Sequence, residues 1–258
     1  MRSSFKQKIA LIIMSGLTCW NFGAIISANS ANNLNSSITE NQEANKEDKY
    51  LEIYENFSKK FGMDKDKLIE LLSLREGENN FKLIPISDSE EFTEFWKDLF
   101  VRADKNYMKY YATGKLKTDS QATADFNRRY NRMWNSNSKK NIKPFSMAFI
   151  SAFNGDFAGE IVIGPVRGGE NVVPEIGYVT SKKFCGKKIT SNSLKILINF
   201  IKHLNKSGIY NIKTLRATAH SKNKASQKIL SKCGFNAQKK LTYSFGRRPT
   251  KEYRLSIK

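Results

Sequence analysis

The chain has 258 residues, with 44 Lys and Arg against 24 Asp and Glu, a formal charge of +20, and three cysteines. That length holds one domain of about 150 to 180 residues with extensions, and three cysteines exclude a disulfide framework. The charge is uneven: residues 32–80 carry seven basic and eleven acidic side chains, residues 81–258 carry 34 and 13. A surface this positive suits an anionic cofactor, nucleic acid, a ribosome or an anionic membrane, although an Asn-, Lys- and Ile-rich composition produces the same excess by itself.

Arg2, Lys6 and Lys8 precede a run from Ile9 to Ile26 without a charged residue, and Ser27 to Ala31 supplies small residues for cleavage. Residues 1–31 therefore read as a secretory signal, or as an uncleaved membrane anchor. Either predicts that the remainder is exported, secreted or periplasmic, or tethered to the membrane outside the cytoplasm. Cys19 leaves with a cleaved signal, whereas Cys185 and Cys233 stay as free thiols, which points to a reducing destination such as a host cell. Residues 32–46 are rich in Asn, Ser and Glu and read as a disordered linker. Residues 47–78 read as a helical extension, with Tyr50, Ile53, Tyr54 and Phe57, then Leu68, Leu71 and Leu72, at helical spacing on either side of Gly62. It is either an interaction module or a cap on the main domain.

Residues 81–258 hold the main domain. Phe81 to Ile86 predicts a first strand, Asp88 or Ser89 caps a helix burying Phe92, Phe95, Trp96 and Leu99, and Ser120 to Trp134 predicts a second helix with Arg128, Arg129 and Arg132 outside. Phe145 to Phe153 and Phe157 to Ile163 form a hairpin about Asn154-Gly155-Asp156. Strands follow at Val172–Thr180 and Ile212–Ala219, helices at Asn192–Leu204 and Lys224–Cys233, and last strands near Lys239–Phe245 and Lys251–Ile257. The class is α+β.

One stretch carries chemistry. Glu175-Ile-Gly177-Tyr178-Val179-Thr180 leads into the loop Lys183-Phe184-Cys185-Gly186-Lys187-Lys188-Ile189-Thr190, which opens a helix. Unpaired N–H groups then converge where a pyrophosphate could sit. After the next strand come Asn223-Lys-Ala-Ser226 and a Gly234-Phe235 stop. This order resembles the GNAT superfamily of acyl-CoA-dependent N-acetyltransferases, most closely the branch that acetylates ribosomal-protein N-termini. In the family loop, Gln or Arg is followed after two residues by Gly, and two residues later by Gly or Ala. Gly186 matches, Lys183 is a basic substitute, and Lys188 departs, placing a side chain near the phosphates.

The resemblance implies a mixed, mostly antiparallel sheet of roughly six to seven strands flanked by helices. It also implies acetyl-CoA as cosubstrate and direct transfer of acetyl to a primary amine on a protein N-terminus, a lysine or a small molecule. No metal is expected, since thioester aminolysis needs a base, an oxyanion donor and thiolate stabilisation. Glu175 is the implied base, an alternative being an ordinary strand carboxylate paired with a lysine. Ser226 is the implied thiolate donor, an alternative being a helix cap. Many members carry a tyrosine four residues after this serine; Leu230 stands there instead, with Tyr178 a substitute in principle. Residues 183–190, chiefly through main-chain N–H groups, with Asn223 and the Val179 backbone, are the implied cofactor contacts. The competing reading is the same fold holding CoA without turnover, or binding nucleic acid. Acceptor choice falls to the Asp88–Trp134 helices and the Phe235–Thr250 segment.

Overall fold

In the computed structural model, residues 50–135, 146–165, 173–244 and 248–257 are described. The expected signal and linker, with Phe145 and Val172, lie outside them. In chain order the elements are α1 (residues 50–61), α2 (Lys65–Leu71), β1 (Ser73–Glu76), β2 (Asn79–Pro85), α3 (Glu90–Phe100), α4 (Lys105–Met108) and α5 (Asp119–Trp134). A hairpin of β3 (Met147–Phe153) and β4 (Asp156–Pro165) follows. The chain then runs through β5 (Pro174–Thr180), a 3₁₀ turn at Lys182–Phe184, α6 (Ile189–Lys206), β6 (Thr214–His220), α7 (Lys224–Lys232), β7 (Asn236–Ser244) and β8 (Arg248–Ser256).

The strands of the described residues join one eight-stranded sheet ordered β1-β2-β3-β4-β5-β6-β8-β7. The expected count was lower because residues 73–76, read as the end of a helical extension, form an extra strand. Ser73–Glu76 pairs antiparallel with Asn79–Lys82 across a turn in which Gly77 takes φ +62°. The short run Ser-Leu-Arg-Glu gives little strand signal alone, and its pairing with β2 is what decides it. Gly159 is required in β4, since a Cβ there would collide with the Val179 carbonyl oxygen.

The helices bury one face each. Phe57 of α1 is fully buried, with its ring 5.6 Å from Phe149 of β3 and 5.8 Å from Trp134 of α5. Trp96 of α3 lies edge-on to Phe126 of α5 at 5.5 Å. The α5 N-terminus is fixed by a capping box between Thr118 and Gln121. Arg129 corrects the expectation of three outward arginines: its side chain is 26% exposed and turns inward over the Trp96 ring, whereas Arg128 is 54% exposed.

The pairing that positions the site is the parallel one. β5 and β6 are in register at only Glu175–Arg216 and Ile176–Ala217. Beyond those positions the two strands are no longer paired, leaving a gap in the sheet.

Candidate active site

That gap opens into a cleft of about 1300 Å³. Glu175 to Thr180 of β5 and Thr218 to His220 of β6 line it, with the loop before α6, the first turn of α7, and residues of α4, α5 and β8 around the mouth.

The loop before α6 is wound on itself. The N–H groups of Phe184, Cys185 and Lys187 donate to the carbonyls of Ser181, Lys182 and Phe184, so they are spent. The α6 ladder begins only with Asn192 N–H donating to Lys188 O at 3.0 Å. The N–H groups of Ile189, Thr190 and Ser191 precede that first rung and have no intrahelical partner, and no main-chain acceptor among the described residues faces those of Gly186 and Lys188. All five residues line the cleft. Gly186 has φ +82° and nothing within 4 Å of a Cβ position, so its conformation, not space, demands glycine. Lys188 adopts the left-handed region at φ 59°, ψ 14°. The lysine that departs from the family pattern thus sits in a conformation that favours glycine. Its ammonium lies 3.4 Å from Glu76 of β1.

The structure brings most of the expected residues to one place, though not all. Val179, Phe184, Cys185, Gly186, Lys188, Ile189, Thr190, Asn223, Ser226 and Glu175 line the cleft, whereas Lys183 and Lys187 do not. Lys183 pairs with Asp156 at 3.3 Å and sits over the Phe184 ring. Phe184 and Ile189 are buried, so they anchor the loop. Cys185 and Cys233 are both free thiols; Cys185 Sγ donates to the Tyr107 hydroxyl at 3.1 Å.

Glu175 is paired, with an arginine and not with a lysine. It accepts from Arg216 Nη1 at 3.0 Å and from Thr218 Oγ1 at 2.7 Å, both on β6. Arg216 also pairs with Glu252 of β8 at 3.0 Å. Its partner is thus an arginine shared with a second acid, held where β5 and β6 part. At α7 the cap is Asn223, whose Oδ1 accepts from Ser226 N–H at 3.1 Å. Capping therefore leaves the Ser226 hydroxyl free of that duty. Ser226 Oγ lies 2.8 Å from the Tyr178 hydroxyl, either one donating. Burial pushes the Tyr178 phenol well above its usual range, the bond to Ser226 opposing it. Leu230, one turn further on, is fully buried, so no hydroxyl reaches the cleft from that position.

Sequence reading missed the segment over the cleft mouth. The Tyr107 hydroxyl donates to Thr180 O at 2.9 Å, Lys182 pairs with Asp104 at 2.8 Å, the Tyr110 ring lies 5.0 Å from His220, and Arg248 donates to Ala112 O at 2.9 Å. Residues 104–114 thus touch both arms of the gap. It also missed a buried cluster. Glu160 of β4 is 1% exposed and accepts from the Tyr111 hydroxyl at 2.8 Å, while its second oxygen has no partner. Burial raises its pKa, against the Arg129 charge and the Tyr111 bond. Asp125 accepts from Lys117, Arg128 and Arg129; burial pushes its carboxyl up, but these cations hold it at about 2. A glutamate inside the apolar run Phe157–Ile163 was the available signal for Glu160.

A family profile described as "Acetyltransferase (GNAT) domain" matches residues 82–236. No curated protein sequence matches the chain. Among solved structures, the acetyltransferase of Salmonella typhimurium that modifies the N-terminal serine of ribosomal protein L7/L12 is similar with TM-score 0.52 at 14% identity, over 71% of this chain and 97% of that one. RimJ of Mycobacterium smegmatis in complex with CoA-disulfide gives 0.55 at 15%, over 71% and 85%. Spermidine N-acetyltransferase of Vibrio cholerae with CoA and spermine gives 0.51 at 14%, over 69% and 95%. At these identities the likeness is one of fold.

Proposed function

We propose that this chain, which belongs to the GNAT acetyltransferase family, moves an acetyl group directly from acetyl-CoA to a primary amine in the cleft between β5 and β6. The observation that carries this reading is the coincidence, in one cleft, of the unpartnered N–H groups around Gly186 with Glu175 and Ser226. Those N–H groups, at the positive end of α6, suit a pyrophosphate. The β4–β5 register turns the Val179 N–H toward β4 and the Tyr178 N–H toward the gap. The Tyr178 main chain is thus the donor assigned to the developing oxyanion, while Glu175 takes the amine proton through water and Ser226 donates to the departing thiolate. The transfer is balanced: the C–N bond forms, the C–S bond breaks, and the amine proton passes to the base while the thiolate is protonated. No covalent enzyme intermediate is involved.

The acceptors named for the related structures differ, an N-terminal serine in one and spermidine in another. The chemical class assigned to this chain is therefore a primary amine. Thiol release from acetyl-CoA tests the reaction, and Glu175→Gln tests the base. We expect kcat to fall about 10²-fold or more with CoA affinity changed little; full turnover in the variant removes Glu175 from that role. Leu230 favours a second reading, in which CoA is held without transfer. Calorimetry showing tight CoA binding, with no product across an amine panel, selects it. The exported or tethered location remains part of the proposal; N-terminal sequencing of the native protein checks it, and a soluble cytoplasmic chain starting at Met1 overturns it.

A further inference from the structure

Away from the phosphate-binding loop, the cleft wall is strongly cationic. Lys109, Lys117, Arg128, Arg129, Arg132 and Arg248 line it, none of them from the loop or α6. Among the described residues, the carboxylates lining the cleft are Glu175 and Asp125. Glu175 is taken by Arg216, and Asp125 is shared among Lys117, Arg128 and Arg129. Among the described residues, Lys109, Arg132 and Arg248 have no carboxylate partner: Lys109 lies over the Tyr110 ring, and Arg248 donates to carbonyls of Ala112 and Lys109.

The cations continue beyond the chemistry. A second hollow of about 860 Å³ shares Lys117, Arg128 and Arg248 with the cleft, adds Lys115, and among the described residues has Asp125 as its one lining carboxylate. Arg128 and Arg132 are spaced one turn apart on α5, about 6 Å along its axis, and Arg248 comes from β8. A single phosphate needs one focus of charge, whereas these cations lie along a path. A polyamine needs free carboxylates, whereas Asp125 here is held by Lys117, Arg128 and Arg129, and a polycation would be repelled at this range.

Resting on the transferase reading above, we propose that the acceptor is the free N-terminus of a peptide whose following residues carry carboxylates, laid along the Lys109, Arg128, Arg132 and Arg248 side chains. The peptide's amine enters the β5–β6 gap, and its acidic residues run out along α5 toward the second hollow. Two or three exposed pairs of this kind acting together amount to roughly tenfold in affinity.

The test uses the full chain loaded with CoA and three fluorescent peptides with the same first residue, followed by Glu/Asp, Gln/Asn or Lys. Anisotropy should show the acidic peptide binding about tenfold tighter than the neutral one at low salt, with the margin shrinking in 0.5 M salt. The Lys109→Glu/Arg132→Glu variant should lose that margin while its CoA affinity, read separately by calorimetry, shows the cleft intact. With acetyl-CoA, the margin should appear in KM rather than kcat. Equal binding of the three peptides, or preference for the basic one, overturns the proposal. So does displacement of the acidic peptide by an RNA oligomer or a nucleoside monophosphate at lower concentration than by unlabelled peptide. Acidic preference in binding without any acetylation supports the surface assignment and refutes the transferase reading, so the two fail separately.

Discussion

Ser226 and Tyr178 share one hydrogen bond, so a substitution at either has two consequences that can be separated. Ser226→Ala removes the hydroxyl assigned to the thiolate and leaves the half-buried Tyr178 phenol without its partner, costing about 1 kcal/mol in stability. Tyr178→Phe removes the same bond but keeps the serine. If Ser226 meets the sulfur, kcat falls at least tenfold in Ser226→Ala and by less in Tyr178→Phe, with KM for acetyl-CoA nearly constant in both. Equal losses in the two variants, tracking their urea midpoints, would reduce the serine to a structural part. Glu175 poses the complementary problem. It is readable from sequence as a strand carboxylate beside Gly177, but the arginine that holds it is 41 residues further on and becomes its neighbour only through the parallel pairing.

At the scale of elements, the loop before α6 is strained at a residue that need not be strained. A non-glycine side chain in the left-handed region costs about 1–2 kcal/mol, and the solvent-screened Lys188–Glu76 pair offsets little of it. Lys188→Gly should therefore raise stability by roughly 1 kcal/mol or less and leave CoA binding as strong or stronger; thermal melts and calorimetry check both. The succession of strands and helices from residue 81 onward was legible because periodicity, the Asn-Gly turn and the Gly-Phe stop are local signals. β1 was not, because four residues of mixed polarity become a strand only through β2. The inward turn of Arg129 was equally hidden: three arginines on one helix look alike until Glu160 and Asp125, from different elements, come together beneath one of them. Lys183 and Lys187 show the same limit within the loop, where the motif identifies the turn but not which of its side chains and N–H groups remain available.

The whole molecule is two groups of strands, β1 to β5 and β6 with β8 and β7, joined in the sheet by two residue pairs. A ligand bonded to both sides binds the folded state alone, so CoA at a hundredfold excess over its Kd should add about 2.7 kcal/mol, roughly 5–10 °C in Tm for a chain of this size. Amides of residues 177–180 and 218–220 should gain most of the hydrogen-exchange protection; uniform protection, or none, would mean that the ligand sits elsewhere. A cosubstrate that bonds to β5 and β6 across that gap is a structural member as well as a reactant. Each turnover withdraws a rung and returns it, so the pace of catalysis and the breathing of the empty frame are set by the same seam.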